Sequence, residues 1–260
     1  MRFKLTLQLQ SIRENILPLN YQYELSSLIY RVLNNGSPEF SCWLHKKGYT
    51  DDHKSFKLFT FSNLRVPDRR ISGDRMEICC REISLIISMF PEEMIGHFIT
   101  GIFNDQEFRL GDRISRVPLQ VTTIERIADP VFSDRMEFRS CSPLLVSLLY
   151  PGDRYARYLR PDHPDYQKLF FRNMIEKYKT INGRDHPYKE TEGILNVISP
   201  VKMKGVVIKA GTPYESKIIG YLFDFRIQAP AELIRLGYYT GFGEKNSMGF
   251  GCGEVKEGKD

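Results

Sequence analysis

The hydrophobic period of the chain changes near its beginning, and this change limits the folds that the chain can adopt. Apolar side chains first alternate with polar ones, at Phe3, Leu5, Leu7 and Leu9. Beyond Pro18 the spacing becomes helical, at Leu25, Leu28, Ile29, Val32 and Leu33. Asn34-Asn35-Gly36, followed by Pro38, ends this helix. A half-buried strand followed by an amphipathic helix is typical of an α+β domain.

The next elements complete a recognisable order. Strand patterns occupy residues 57–62, 76–80 and 117–121, and Pro91 begins a second helix with an apolar face. The order β-α-β-β-α-β is that of the ferredoxin-like unit. Ala128-Asp129-Pro130 marks a seam after it.

The second half of the chain is less regular. It has strand patterns at 136–140, 195–198, 203–209, 218–228 and 250–255, and helix patterns at 165–179 and 231–236. We therefore predict a second, distorted copy of the same unit. The predicted fold is α+β, with two tandem ferredoxin-like (RRM-like) domains at residues 1–127 and 128–260.

Charge and composition constrain the function only weakly. The chain has 260 residues, and 37 basic against 32 acidic residues give a formal net charge of +5. This balance permits an anionic partner such as RNA without requiring one. The hydrophobic content of 42% excludes a disordered polymer.

The cysteines and the N-terminus bear on the compartment. Five cysteines are scattered without a CxxC pair, which favours buried thiols in a reducing cytoplasm over disulfides or a zinc site. The N-terminal residues alternate in polarity and do not resemble a signal peptide. No stretch approaches the ~18 apolar residues of a membrane span, so we expect no membrane partner.

The most unusual stretch is residues 237–253, in which six of seventeen positions are glycine. Two readings are open: an anion-binding nest of backbone N–H groups, and a turn whose glycines serve only backbone geometry. A dinucleotide-binding GxGxxG is excluded, because position 246 is asparagine where the third glycine would stand.

Residues 241–251, Gly-Phe-Gly-Glu-Lys-Asn-Ser-Met-Gly-Phe-Gly, closely resemble the C-terminal glycine-rich loop of the CRISPR-associated repeat-processing endoribonucleases of the RAMP superfamily. Other matching features follow in the family's order: Met1-Arg2-Phe3, residues 18–23, Tyr30, His45, residues 57–62 and Ser142-Pro143. The resemblance implies two tandem ferredoxin-like domains. It also implies metal-independent cleavage of precursor CRISPR RNA within its repeats, for antiviral defence.

The resemblance further implies a catalytic set of Tyr30, His45 and Lys57. In metal-free RNA cleavage the ribose 2′-hydroxyl attacks the adjacent phosphorus, which gives a 2′,3′-cyclic phosphate and a 5′-hydroxyl. Histidine suits the proton transfers, and lysine supplies a compact positive charge. The lysine is the open position, since Lys54, Lys46 or Lys47 could replace Lys57. His53 is an alternative proton carrier to His45.

For RNA binding we expect the glycine-rich loop, on the resemblance, together with basic clusters elsewhere. The predicted RNA-binding residues are Gly241, Gly243, Lys245, Asn246, Ser247, Gly249, Gly251, Lys202, Lys204 and Arg69. No metal and no cofactor is expected. The expected partner is the repeat of precursor CRISPR RNA, and association with effector-complex subunits or as a homodimer stays open.

Two other functions compete with the nuclease. One is a non-catalytic subunit that binds repeat RNA in a CRISPR effector complex, because some RAMP proteins lack the histidine; His45 favours the enzyme. The other is a pair of domains that binds a small anion at the glycine-rich loop and does not bind repeat RNA tightly.

Overall fold

The computed structural model of the protein describes residues 1–51, 54–210 and 213–256. The helices of the N-terminal half are α1 (Gln22–Gly36), α2 (Pro38–Lys46) and α3 (Glu92–Asn104). Its strands are β1 (Arg2–Leu9), β2 (Ile16–Pro18), β3 (Tyr49–Asp51), β4 (Lys54–Phe56), β5 (Phe59–Phe61), β6 (Arg69–Ser72), β7 (Arg75–Ile78), β8 (Glu82–Met89), β9 (Glu107–Gly111) and β10 (Arg116–Arg126).

The main sheet of this half has the order β5-β8-β1-β10-β9 and is antiparallel throughout. The predicted alternation of β1 is confirmed: Phe3, Leu5 and Leu7 are buried. They join one hydrophobic core with the apolar faces of α1 and α3. The core therefore lies between one face of the sheet and the two helices.

The strand that serves as the third strand of the β-α-β-β-α-β unit differs from our prediction. It is β8, whereas the predicted strand at 76–80 is β7, which pairs with β2 and β6 in a separate small sheet. Packing explains the choice, because Ile83, Leu85 and Ile87 pair in register with the apolar residues of β1. The eight residues of β8 also match the length of β1, while β7 has four.

The stretch after α1 is a second helix, which the sequence analysis missed. Pro38, which the sequence pattern predicts as part of the stop signal of α1, occupies the first turn of α2, where its missing N–H costs nothing. The Ser37 hydroxyl caps α2 by accepting a hydrogen bond from the Phe40 N–H at 3.2 Å. His45 therefore lies in the last turn of a helix and not in a loop.

The predicted strand at 57–62 is shorter than expected. Leu58 has a φ of 53°, a left-handed conformation that interrupts an extended chain, and β5 begins only at Phe59. Lys57 consequently stands in the short connection between β4 and β5.

The C-terminal half has helices α4 (Tyr166–Asn182) and α5 (Ala231–Thr240). Its strands are β11 (Arg135–Ser140), β12 (Ser147–Leu148), β13 (Arg157–Tyr158), β14 (Ile194–Val197), β15 (Lys202–Ile208), β16 (Ser216–Leu222), β17 (Asp224–Gln228) and β18 (Gly253–Val255). A four-stranded sheet has the order β14-β17-β11-β18, and β15 pairs with β16 in a hairpin.

Three predictions for this half need correction. The predicted strand 218–228 is divided into β16 and β17, which belong to different sheets. Helix α5 runs to Thr240 and so includes the first residues of the glycine-rich segment. The last strand, predicted at 250–255, begins at Gly253 because the preceding residues belong to the loop.

Arg2 joins the two halves of the molecule. Its guanidinium donates to the carbonyl of Gly253 at 2.6 Å and to that of Tyr238 at 2.8 Å, and its Cζ lies 3.6 Å from the centroid of the Tyr238 ring. Alternation places Arg2 on the polar face of β1, yet it is 1% exposed. The cause is that the C-terminal half covers this end of the sheet.

None of the helices in the described ranges is both long and apolar enough to span a membrane.

Candidate active site

Tyr30 and His45 meet where α1 and α2 pack together. Their ring centroids are 5.3 Å apart in an edge-to-face arrangement. Tyr30 is half-buried and also contacts the Phe59 ring at 5.6 Å, while His45 is exposed. The Ser41 hydroxyl of α2 donates to the Tyr30 carbonyl at 3.1 Å, which fixes the two helices relative to each other.

The other half of the molecule reaches this pair through Ser247. Burial raises the pKa of Tyr30 to about 12, and a hydrogen-bonding contribution from the Ser247 side chain partly opposes this shift. The Ser26 hydroxyl donates to the Ser247 carbonyl at 2.7 Å. Because the Tyr30 hydroxyl stays protonated at neutral pH, it can orient a substrate oxygen but is a poor base.

Lys57 holds the end of α2. Its ammonium donates to the carbonyls of His45 at 3.1 Å and Lys47 at 3.2 Å, so one of its three hydrogens remains for another acceptor. Burial lowers the pKa of Lys57. Gly48 has a φ of +66°, and a Cβ there would lie 2.9 Å from the Lys57 nitrogen. The positive φ and the Phe56 carbonyl, which would lie 2.8 Å from such a Cβ, therefore favour glycine at this position.

The alternative lysines differ from Lys57 in their contacts and exposure. Lys54 donates to both carboxylate oxygens of Glu176 at 2.7 and 2.8 Å, and it thereby ties the β3–β4 hairpin to α4. Lys46 and Lys47 are exposed at the end of α2. The alternative proton carrier, His53, lies outside the described residues.

A cleft of about 510 Å³ opens beside this cluster, between the two halves. The N-terminal half lines it with β4, Lys57 and Leu58. The C-terminal half lines it with Ser147, Leu149, Ala156, Asn173, Lys177, Glu244, Lys245, Asn246 and Ser247. Lys57 and Ser247 thus belong both to the cleft and to the Tyr30–His45 cluster.

A fully buried lysine supports the glycine-rich loop from below. The Lys177 ammonium, on α4, donates to the carbonyls of Gly241 at 2.7 Å and Gly243 at 3.1 Å, and to Asn246 Oδ1 at 2.7 Å. Burial lowers its pKa to about 7, and the nearby carboxylate of Glu244 opposes this shift. The lysine replaces solvent for three loop oxygens that would otherwise be buried without partners.

The glycines of the loop serve backbone geometry. Gly251 has a φ of +78°, and a Cβ there would collide with the Phe242 carbonyl. The Asn246 amide donates to the carbonyls of Phe242 at 3.3 Å and Phe250 at 3.1 Å, so this side chain is fully engaged within the loop. Lys245 is exposed at the tip, where it faces the cleft.

The remaining predicted RNA-binding residues lie outside the cleft lining. Lys202 and Lys204 are on β15, whose Val206 packs against Phe250 of the glycine-rich loop. Arg69 is exposed on β6 and donates to the Val66 carbonyl at 2.6 Å.

Sequence reasoning missed Asn173, Lys177 and Glu244. A usable signal existed for the lysine: Lys177 lies on the apolar face of α4, three residues after Met174, where a solvated lysine would not be expected. Glu244 accepts hydrogen bonds from the N–H and hydroxyl of Ser147, both at 2.8 Å, and only the folded chain brings these two residues together.

Within residues 1–51, 54–210 and 213–256, no group of three or more His, Cys, Asp or Glu side chains is placed to hold a metal ion.

The architecture and the cluster define a mixed α/β protein of the RAMP type, in which a Tyr-His-Lys group meets a glycine-rich loop from the other half of the chain. Residues 16–118 match the family described as CRISPR-associated protein Cas6, N-terminal, and residues 127–255 match CRISPR associated protein Cas6, C-terminal. The chain belongs to the Cas6 family, which confirms the resemblance seen in the sequence.

Individual relatives match nearly the whole chain. A CRISPR-associated endoribonuclease Cas6 of Methanocaldococcus jannaschii is 25% identical over 257 residues, covering 95% of this chain and 91% of the relative. A CRISPR-associated endoribonuclease Cas6 of Pyrococcus furiosus is 27% identical over 243 residues, covering 93% and 84%.

Solved structures agree in fold. That of a Cas6-related gene product from Pyrococcus furiosus has a TM-score of 0.83 at 27% identity and covers 99% of this chain and 98% of its own. A structure described as an RAMP protein binding different RNA substrates also has a TM-score of 0.83, at 26% identity, covering 99% and 100%.

Proposed function

We propose that this protein is a metal-independent endoribonuclease that cleaves precursor CRISPR RNA within its repeats. The observation that carries the proposal is the convergence of Tyr30, His45 and Lys57 against Ser247 of the glycine-rich loop. The names of the two relatives, both endoribonucleases, support the reaction class.

The cluster suits attack by a ribose 2′-hydroxyl on the adjacent phosphorus. His45 is exposed and transfers the protons, Tyr30 orients the reacting oxygen, and Lys57 stabilises the charge that develops on the phosphate oxygens. The nucleophile is already part of the RNA, so in-line alignment supplies much of the rate. The products are a 2′,3′-cyclic phosphate and a 5′-hydroxyl.

We further propose that each half is a ferredoxin-like domain, with the boundary between residues 127 and 128. In a β-α-β-β-α-β unit, the strands lie side by side in the order fourth, first, third, second. Both sheets show this order: β10-β1-β8-β5 in the N-terminal half, once the edge strand β9 is set aside, and β18-β11-β17-β14 in the C-terminal half. The N-terminal family match ends at residue 118 and the C-terminal match begins at residue 127. Both limits support this boundary.

The test is cleavage of the host's repeat RNA in EDTA, with analysis of the product ends. We expect a cyclic phosphate and a 5′-hydroxyl, and no cleavage when the scissile nucleotide carries a 2′-deoxy group that leaves binding intact. Tight binding of unmodified RNA without any cleavage would contradict the proposal.

A second function is favoured by the hydrogen bonds of Lys57. Its two bonds to carbonyls of the α2 terminus are also what a purely structural lysine would make, so a non-catalytic subunit that binds repeat RNA in an effector complex is the alternative. His45→Ala distinguishes the two functions, because only a nuclease would lose cleavage of repeat RNA in this variant. Cytoplasmic location, homodimer formation and effector-complex partners remain proposals of the same kind.

A further inference from the structure

We propose that one turn of α4, from Glu176 to Lys179, aligns the two halves of the active site for cleavage, and that Glu176 is a positioning residue for Lys57. The inference rests on the proposed function and extends it to a residue outside the lining of the cleft. Glu176 acts through Lys54 and the β3–β4 hairpin, without contact to the reacting atoms.

Helix α4 provides a fixed reference for this alignment. Phe170, Phe171 and Met174 are fully buried in the core of the C-terminal half. Close packing leaves such side chains little freedom to shift. Groups bonded to the next turn of the helix therefore keep a defined position relative to that core.

One side chain of the turn holds the glycine-rich loop. Lys177 donates to three oxygens of the loop, one of them Asn246 Oδ1 at 2.7 Å. The carbonyl of Ser247, the next residue of the loop, accepts a hydrogen bond from the Ser26 hydroxyl at 2.7 Å. The lysine thus fixes the loop at the point where it meets α1, the helix that carries Tyr30.

Its neighbours on the same turn hold the β3–β4 hairpin of the other half. The Lys54 ammonium donates to both carboxylate oxygens of Glu176, at 2.7 and 2.8 Å, and the Lys179 nitrogen lies 3.6 Å from an Asp51 oxygen. Asp51 and Lys54 are cross-strand partners, and residues three apart on a helix lie side by side, so the four charges alternate in sign. Lys179 is shared with Asp185 at 3.3 Å, which makes Glu176 the more exclusive anchor.

The hairpin depends on these contacts because it has almost no core of its own. Among the six residues of β3 and β4, Phe56 alone is buried, and it lies at the end that leads into Lys57. The ion pairs with α4 hold the opposite end. Because the Lys57 ammonium donates to the carbonyls of His45 and Lys47, a shift of the hairpin displaces Lys57 together with the helix turn of His45.

The expected consequence is a change in rate rather than in affinity or stability. In-line attack is sensitive to small displacements of the groups around the phosphate, whereas an exposed ion pair contributes little to folding. Loss of the contact between Lys54 and Glu176 should therefore slow the chemical step and leave thermal unfolding nearly unchanged.

The experiment is a double-mutant cycle of Lys54→Met and Glu176→Gln. The readout is the single-turnover rate at saturating host repeat RNA in EDTA, together with binding of 2′-deoxy RNA and thermal unfolding. The matched cycle is Arg172→Met with Glu190→Gln, which removes another ion pair of α4, at 3.1 Å.

We expect Lys54→Met and Glu176→Gln each to lower the rate about fivefold, which is the value of one exposed ion pair converted to a rate. The double variant should be no slower than either single variant, since both changes remove the same contact. Glu176→Gln should bind 2′-deoxy RNA and unfold as the wild type does. The matched cycle should leave the rate unchanged.

Lys54 lines the cleft, so direct action of this lysine on the RNA is the competing explanation. In that case Glu176→Gln, which frees the ammonium, would leave the rate unchanged or raise it, while Lys54→Met would lower it. That result overturns the inference, and so do losses that multiply in the double variant. Loss of the fold in Glu176→Gln at the assay temperature would assign the ion pair a purely structural role and overturn the inference as well.

Failure of this inference is distinguishable from failure of the proposed function. Cleavage at the wild-type rate by Glu176→Gln contradicts the inference alone. Tight binding of unmodified RNA without cleavage by the wild-type protein contradicts the proposed function and, with it, the alignment role of α4.

Discussion

The side-chain nitrogen of Lys57 donates a hydrogen bond to the main-chain carbonyl of His45 across 3.1 Å. The lysine that follows β4 thereby holds the helix turn that carries the histidine. This contact distinguishes Lys57 from the other predicted lysines, because Lys54 is engaged with Glu176 on α4 instead.

Replacement of Lys57 should therefore affect both rate and geometry. Lys57→Met removes the positive charge and both bonds to the α2 terminus, and we expect single-turnover cleavage to fall by about 100-fold or more. Lys46→Met, at an exposed lysine of the same helix turn, should change the rate by less than about threefold. Equal losses in the two variants would remove Lys57 from the catalytic set.

His45→Ala should lower the single-turnover rate by about 10²–10⁴-fold, the usual contribution of a proton-transfer group. Binding of 2′-deoxy RNA should be nearly unchanged, because the exposed imidazole contributes little to the fold. His97→Ala on α3 is the control. Full cleavage by His45→Ala would reject the assignment and direct attention to His53.

Tyr30→Phe keeps the ring that packs against His45 but loses the hydroxyl that bonds to Ser247. We expect a loss in rate of about tenfold, the value of one hydrogen bond. In a double-mutant cycle, Ser247→Ala should add little to Tyr30→Phe, since the two changes remove the same bond. Fully additive effects would show that the two hydroxyls act separately.

Lys177 should make stability depend on pH. Its pKa is lowered to about 7 by burial, against about 10.4 in the unfolded chain, so above pH 7 the unfolded state binds more protons. The free energy of unfolding should rise with pH relative to Lys177→Met, by at most about 1.4 kcal/mol per pH unit. The stability that the deprotonated lysine contributes above its unfolded-state pKa is lost as pH falls through the folded-state pKa of about 7.

Urea unfolding at several values between about pH 6 and 9.5 measures this difference below the ordinary tyrosine range. Lys168→Met, at an exposed lysine of the same helix, is the matched control and should run parallel to the wild type. A pH-independent difference between wild type and Lys177→Met would contradict the lowered pKa.

Arg2→Met should destabilise the junction of the two halves. It leaves the carbonyls of Tyr238 and Gly253 without their donor, and we expect a loss of about 3 kcal/mol in the free energy of unfolding. Lys4→Met on the same strand loses only an exposed ion pair with Glu125, expected to contribute less than about 1 kcal/mol. Thermal unfolding of both variants provides the comparison.

The candidate site was predictable in part. The family-like loop and the positions of Tyr30 and His45 in the sequence indicated that these residues act together, and the folded chain does place their rings 5.3 Å apart. The helix that carries His45 was not foreseen, because Pro38 reads equally as the end of one helix and the first turn of another. The hydrogen bonds of Lys57 to the α2 terminus depend on the folded chain around Gly48 and could not be read from the sequence.

The sequence by itself determined the local elements: the alternation of β1, the apolar face of α1 and the glycine-rich turn follow from periods and residue types within short windows. The tertiary structure alone decided what covers each face. Arg2 is buried, Lys177 supports the loop, and Asn173 lines the cleft because two halves distant in sequence pack together. A local period shows which side of an element is apolar, but it carries no information about the surface that will lie against the other side.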